Sequence, residues 1–222
     1  MTRGMQELPL SGGRTTDGVV RVGETVRRPP KANSAFVQRL LVHLERRGFH
    51  GAPRYIGKDE DGRDTLSYLE GSVPGDLGWF EDGVLIAAAR LISRYHAATA
   101  GFYPQGLAPP DFEVVCHNDL SPCNAVFSGG LPVALIDFDA AAPGARTWDL
   151  GYAAWLWLDI GNDDLTRGEQ IRRLRLFVSA YGPGAAPQVV SAMIRRQQLL
   201  VQADGDAGRT AWAANCLAWT LE

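Results

Sequence analysis

The sequence predicts an α+β protein with two unlike lobes: a small antiparallel sheet with one helix, then a mainly helical region. Three observations carry this. Short β-type runs crowd the first 71 of the 222 residues. The cluster Gly71-Ser72-Val73-Pro74-Gly75 then interrupts the pattern. Beyond it the chain turns to long Ala- and Leu-rich segments, and strands first with helices afterwards is the order of segregated α+β architectures. The division expected is residues 1–71 and 72–222, with a hinge at about 66–71.

Element by element, Leu8 to Leu10 reads as a strand end, and Ser11 to Gly18 as a turn-rich loop. Val19–Val22 and Thr25–Arg27 flank Gly23-Glu24 as a hairpin. Pro29 and Pro30 stop the sheet. Asn33 or Ser34 can cap a helix from Ala35 to Arg47, whose Phe36, Val37, Leu40, Leu41 and Leu44 share one face. Gly48 ends it. Two strands follow, Arg54 to Gly57 and Thr65 to Leu69. In the second region Val84 to Thr99 reads as a helix, and Val114–Cys116, Ala125–Phe127 and Val133–Ile136 as short strands. Further helices are expected at Thr147–Leu158, Leu165–Tyr181, Pro187–Val201 and Arg209–Leu221.

Composition narrows the function classes. A formal net charge of −3 offers no basic surplus for nucleic acid. No run of about eighteen apolar residues suggests a membrane span. The three cysteines, Cys116, Cys123 and Cys216, are odd in number and unpaired in spacing, which argues against a disulfide framework and for a reducing compartment. They also lack compact zinc-ligand spacing. The N-terminal Met1 to Pro9 has no apolar core of a signal peptide, so the expected location is the cytoplasm.

The informative stretch is His117-Asn118-Asp119-Leu120-Ser121-Pro122-Cys123-Asn124, followed by Leu135-Ile136-Asp137-Phe138-Asp139. Each cluster adjoins a short strand, so its polar residues fall at strand ends facing a cleft. Phosphoryl transfer asks little covalent chemistry of a protein. It needs a carboxylate beside the acceptor hydroxyl, and oxygen ligands for Mg²⁺. Asp119, Asn124 and Asp137 suit those roles.

This His-x-Asp-x-x-x-x-Asn loop, the Ile-Asp-Phe that follows and Thr147-Trp148-Asp149-Leu150 resemble the aminoglycoside phosphotransferases and related choline-type small-molecule kinases, with their bilobal protein-kinase-like fold. The likeness is weaker to protein kinases, which carry Arg where Asn118 stands and Lys where Ser121 stands. The resemblance implies that Asp119 is the catalytic base and that Asn124 and Asp137 hold Mg²⁺ on ATP or GTP. It implies that His117 braces the loop and that Asp149 bonds the loop backbone. Ser11, Gly12, Gly13 and Arg14 would form a phosphate loop, and Ser67 and Leu69 part of the nucleotide-facing hinge.

The family's phosphate-clamping Lys on the third strand is replaced here. Arg27 and Arg28 are the substitutes on offer, and strand alternation puts them on opposite faces. Where the helix should carry a Glu to pair this cation stand Val37 and Gln38, with Glu45 late in the helix, so the ion pair is not expected. Asp139, Asp159, Asp163 and Asp164 could line an acidic acceptor pocket, although Asp163 and Asp164 also suit a helix cap. His96 and the tryptophans at 148, 155 and 157 read as packed residues. The function expected is transfer of a nucleotide γ-phosphoryl group to a small-molecule hydroxyl, with an aminoglycoside-like antibiotic among the acceptors, in a monomer or homodimer. The alternative is a catalytically weak kinase homologue acting as a nucleotide-binding or immunity protein.

Overall fold

The computed structural model describes residues 6–10, 18–103, 108–110, 112–183, 186–203 and 206–222. The phosphate-loop residues expected at Ser11, Gly12, Gly13 and Arg14 lie outside the described residues. The β-type runs of the first half form strands β1 (Leu8–Pro9), β2 (Val20–Val22), β3 (Thr25–Arg28), β4 (Tyr55–Lys58) and β5 (Asp64–Ser67). They pair antiparallel in the order β1-β2-β3-β5-β4. Helix α1 (Ser34–Arg46) buries Val37, Leu40, Leu41 and Leu44, the face its periodicity specifies. Asn33 precedes the helix without a side-chain cap. Its amide instead donates to the carbonyls of Asp139 (3.1 Å) and Ala141 (3.0 Å), tying the start of α1 to the second region.

The second region holds α2 (Asp82–Thr99), β6 (Val114–Cys116), β7 (Ala125–Ser128), β8 (Leu131–Leu135), β9 (Ala142–Gly144), α3 (Arg146–Trp157), α4 (Arg167–Tyr181), α5 (Ala186–Gln202) and α6 (Ala207–Leu221). β7 and β8 form a hairpin, and β6 pairs antiparallel with β9. Strand β9 has no sequence signal, because Ala-Pro-Gly lacks β-propensity and Pro143 has no N–H to donate. It exists because β6 supplies a partner, with Pro143 opposite Val115. One apolar cluster runs through the molecule, from Leu40 and Leu44 on α1, through Leu85, Ile92 and Tyr95 on α2, to Trp155 and Trp157 on α3. Burying each such side chain stabilises the fold by about 1.5–3 kcal/mol.

Two glycines permit close approaches that set the site. Gly71 takes φ +147°, and a Cβ there would stand 2.4 Å from the Phe127 carbonyl oxygen. Only glycine lets the chain cross β7 at that point, where Ser72 and Phe127 exchange backbone hydrogen bonds of 3.0 and 2.7 Å. Gly151 on α3 would place a Cβ 2.7 Å from the Met193 backbone nitrogen, so α3 and α5 touch at backbone distance. That contact brings Arg196, one turn beyond Met193, over α3. Among the described residues no helix is long and apolar enough to cross a membrane.

Candidate active site

The end of β6 and the start of α3 build the site around Asp149, which is fully buried. Its Oδ2 accepts from the His117 backbone N–H (2.8 Å) and from His96 Nε2 (3.0 Å), and its Oδ1 from the Asn118 N–H (2.8 Å). Burial alone would raise this carboxyl. The hydrogen bond and charge of His96, with help from His117, outweigh that and hold it below the usual carboxylate range. His96 meets the Tyr181 hydroxyl at 2.8 Å through Nδ1. The sequence read His96 as ordinary packing; in three dimensions it links α2, α3 and α4.

This anchoring lets Asn118 adopt φ +65° and turn the chain toward Asp119. His117 donates from Nε2 to the Ile136 carbonyl (3.0 Å), and its Nδ1 accepts from the Asp119 N–H (3.3 Å). The Asp119 carboxylate accepts from Asn124 Nδ2 at Oδ2 (2.8 Å) and from the Tyr152 hydroxyl at Oδ1 (3.2 Å). Burial and the Asp119 charge push the Tyr152 hydroxyl up to about 12, so it stays protonated and remains a donor at neutral pH. Tyr152 is one helical turn beyond Asp149 on α3, and that spacing is the signal by which it could have been found in the sequence. Asn124 joins the two motifs, since its carbonyl accepts from the Ile136 N–H (2.9 Å), the residue before Asp137.

Asp137 sits in the left-handed region, φ +61°. Its Oδ1 is buried with no hydrogen-bond partner. Burial, then the neighbouring Asp139 carboxylate, raises its carboxyl above the usual range. Asp139, which burial would also raise, is pulled below that range by Lys31 and Arg28. Arg28 Nη2 contacts Asp139 Oδ1, and Arg28 Nη1 lies 3.9 Å from Asp137 Oδ1. Lys31 Nζ lies 2.5 Å from Asp139 Oδ2. Arg27, on the opposite face of β3, turns instead to Asp59 at 3.6 Å. Gln38 of α1 donates to Asp64 (2.7 Å) rather than approaching Arg28. The one glutamate of α1, Glu45, pairs with Arg54 at 3.4 Å, and Arg28 crosses to the second region. Lys31, beyond the double proline, carried no sequence signal.

Residues 80–193, about half of the chain, match the phosphotransferase enzyme family. The chain belongs to that family. The trifolitoxin immunity protein of Rhizobium leguminosarum bv. trifolii is 35% identical over 191 residues, covering 77% of this phosphotransferase homologue and 72% of that protein. The fold is similar to that of a choline kinase from Cryptosporidium parvum Iowa II, with TM-score 0.64, 12% identity, and 100% and 89% of the two chains covered. It is also similar to the GDP complex of a wild-type aminoglycoside 2′-phosphotransferase-IIIa, with TM-score 0.58, 15% identity, and 99% and 93% covered. The α+β architecture is thus the protein-kinase-like fold of small-molecule kinases.

Within this phosphotransferase-family chain, the expected hinge residues stand apart from the catalytic cluster. The Ser67 N–H donates to the Arg54 carbonyl (2.9 Å), and the Ser67 hydroxyl accepts from the Arg54 N–H (2.9 Å). Ser67 and Leu69 line a cavity of about 280 Å³ with Leu41, Leu44, Phe49 and His50, and this cavity shares no residue with the Asp119–Asp137 group. Ser67 is thus paired with the loop before β4. Asp139 is paired with Arg28 and Lys31, and Asp159 accepts from Asn162 Nδ2 (2.7 Å) in a turn. Nor do Asp163 and Asp164 cap α4: Thr166 does, its hydroxyl accepting from the Glu169 N–H at 3.3 Å. Trp155 and Trp157 are buried, but Trp148 is half-buried and donates to Asn118 Oδ1 at 3.1 Å.

The donor set fits a magnesium–nucleotide. Asp137 Oδ1, which receives no hydrogen bond, is an acceptor that a hard cation satisfies. Asn124 spends its amide nitrogen on Asp119, which leaves the oxygen as the atom a cation would take. Two protein ligands suffice for Mg²⁺, which keeps waters and phosphate oxygens as the rest of its shell.

Proposed function

We propose that this chain transfers the γ-phosphoryl group of ATP or GTP to the hydroxyl of a small molecule. The observation that carries the reading is the Asp119 carboxylate, gripped at both oxygens by Asn124 and Tyr152 at the mouth of a loop anchored on buried Asp149. So fixed, Asp119 can orient an acceptor hydroxyl and take its proton as the oxygen–phosphorus bond forms and the bond to the β-phosphate breaks. Asn124 and Asp137 would hold Mg²⁺, which supplies charge neutralisation on the phosphates. Arg28, half-buried and already beside Asp137, is the cation placed to meet a phosphate, a role its planar fork can fill bidentately. The sheet-bearing N-terminal part would serve as the nucleotide lobe, and the helical part would carry the acceptor.

A second reading is favoured by the 35% identity to a trifolitoxin immunity protein. In it the chain confers immunity to a toxin, with or without turnover. Single-turnover transfer assays and Mg-ATP and Mg-GTP thermal-shift titrations separate the two. A Mg²⁺-dependent rise in Tm that Asp137→Ala abolishes, with transfer that Asp119→Ala abolishes, is the outcome expected of the enzyme. No shift with either nucleotide would leave the immunity reading without phosphoryl transfer.

A further inference from the structure

Arg196 of α5 is a half-buried guanidinium with no carboxylate partner among the described residues. Its Nη2 donates to the Asn118 carbonyl (2.7 Å), and its Nη1 reaches Asn118 Oδ1 at 3.4 Å. Its plane covers two rings, with the guanidinium carbon 4.1 Å from the centre of Tyr152 and 4.9 Å from that of Trp148. Four other half-buried arginines are neutralised by protein acids: Arg21 by Glu70, Arg27 by Asp59, Arg28 by Asp139 and Arg63 by Asp59. Arg196 is not, although it stands on the residue before Asp119 and on the tyrosine that holds the Asp119 carboxylate. A guanidinium has five N–H donors, and only two are directed at Asn118. Arg209, exposed on the first turn of α6, adds a second positive charge acting on the Tyr152 hydroxyl. None of Asp139, Asp159, Asp163 and Asp164 pairs with Arg196 or Tyr152 among the described residues.

We infer that the acceptor is a small hydroxy compound carrying a carboxylate or comparable anion, bound by Arg196 with the aromatic faces of Trp148 and Tyr152 beside Asp119, and not a polycation. This rests on the phosphotransfer reading above. Guanidinium and carboxylate match as a bidentate pair, which would hold a neighbouring hydroxyl in a fixed direction. A polyamine would meet two guanidiniums offset only by the Asp119 carboxylate, and like charges at a binding site oppose association. Arg196 is thereby a specificity-determining residue, and its grip on Asn118 couples acceptor binding to the loop that carries Asp119.

The test is isothermal titration of the full chain with D-glycerate and with kanamycin, with and without Mg-ADP. The wild type is expected to bind D-glycerate and not kanamycin. Arg196→Gln is expected to weaken D-glycerate at least ~10-fold, the loss of a charge-assisted hydrogen bond. Arg196→Lys should recover part of that, because the charge is retained without the fork. Arg209→Gln, at an exposed position that threatens no fold, should weaken D-glycerate by about 2–5-fold, as an unpaired rim charge does. Absence of D-glycerate binding, equal binding by wild type, Arg196→Gln and Arg209→Gln, or tighter binding of kanamycin overturns the inference. Failure of the phosphotransfer reading shows separately, as no Mg-nucleotide shift in a chain that still binds D-glycerate through Arg196.

Discussion

The Asp149 network and the Asp137–Asp139 pair both place carboxylates in largely dry surroundings, and they are held in opposite ways. Asp149 meets three N–H donors from two elements and ends up more acidic than an ordinary carboxyl. Asp137 has a buried oxygen that no donor reaches, and its carboxyl is less acidic than ordinary. The first arrangement is complete without a ligand and serves to fix geometry. The second stores an unmet electrostatic demand, offset only in part by Arg28 and Lys31, and is where a cation or phosphate can add the most. A loop must be rigid to aim Asp119, whereas a nucleotide site must gain free energy when filled.

Variants at each centre can break or sharpen this contrast. The largest effect is expected for Asp119→Ala, which removes the proposed base held by Asn124 and Tyr152: single-turnover transfer should fall by about 10²–10⁴-fold, the range for a lost general base. Mg-nucleotide thermal shifts should stay close to wild type. Transfer at the wild-type rate would end the catalytic assignment.

Next comes Asp149→Ala, which strands three buried donors and should cost about 3–5 kcal/mol in urea unfolding. The sign of the pH dependence follows from the depressed folded-state carboxyl. Its stabilisation is present above the unfolded carboxyl's pKa and is lost as pH falls through the lower folded value, so the wild type should weaken progressively below about pH 5. The Asp149→Ala protein should show a flatter acid limb. Equal slopes would mean that Asp149 is not the titrating anchor.

A smaller difference should separate the two arginines of β3. Arg28→Gln is expected to lower Mg-nucleotide affinity ~10-fold, while Arg27→Gln, paired with Asp59 on the other face, should change it less than about 2-fold. Equal losses in titration calorimetry would undo the assignment of Arg28.

The smallest effect has the opposite sign. Ionising Asp137 at neutral pH costs stability, because its folded carboxyl titrates above the unfolded one. Asp137→Asn should therefore raise the nucleotide-free Tm by roughly 2–4 °C, equivalent to about 1 kcal/mol in a chain of this size. The same variant should lose the Mg²⁺-dependent part of the nucleotide shift. A lowered Tm would show that Arg28 depends on that charge more than burial opposes it.

The sequence by itself determined the local elements and the motif. Periodicity placed α1 with its buried face of Val37, Leu40, Leu41 and Leu44, and the short apolar runs placed most strands within a residue or two. The fixed spacing from His117 through Asn124 to Asp137 pointed to a kinase-like loop, because such spacing is a property of contiguous chain. Pairing across the molecule was not legible. β9 formed from Ala-Pro-Gly only because β6 lay alongside. Strand alternation put Arg27 and Arg28 on opposite faces, but only the packed sheet decided that Arg28 faces Asp137 and Asp139 while Arg27 faces Asp59. Lys31, Tyr152, His96 and Arg196 act through partners distant in sequence, and Arg196 reaches Asn118 because Gly151 lets α3 and α5 touch. Local sequence sets backbone preference and amphipathic period. Which charge meets which carboxylate is set by the closure of helices and strands on one core, a sum over long-range contacts that no single segment carries.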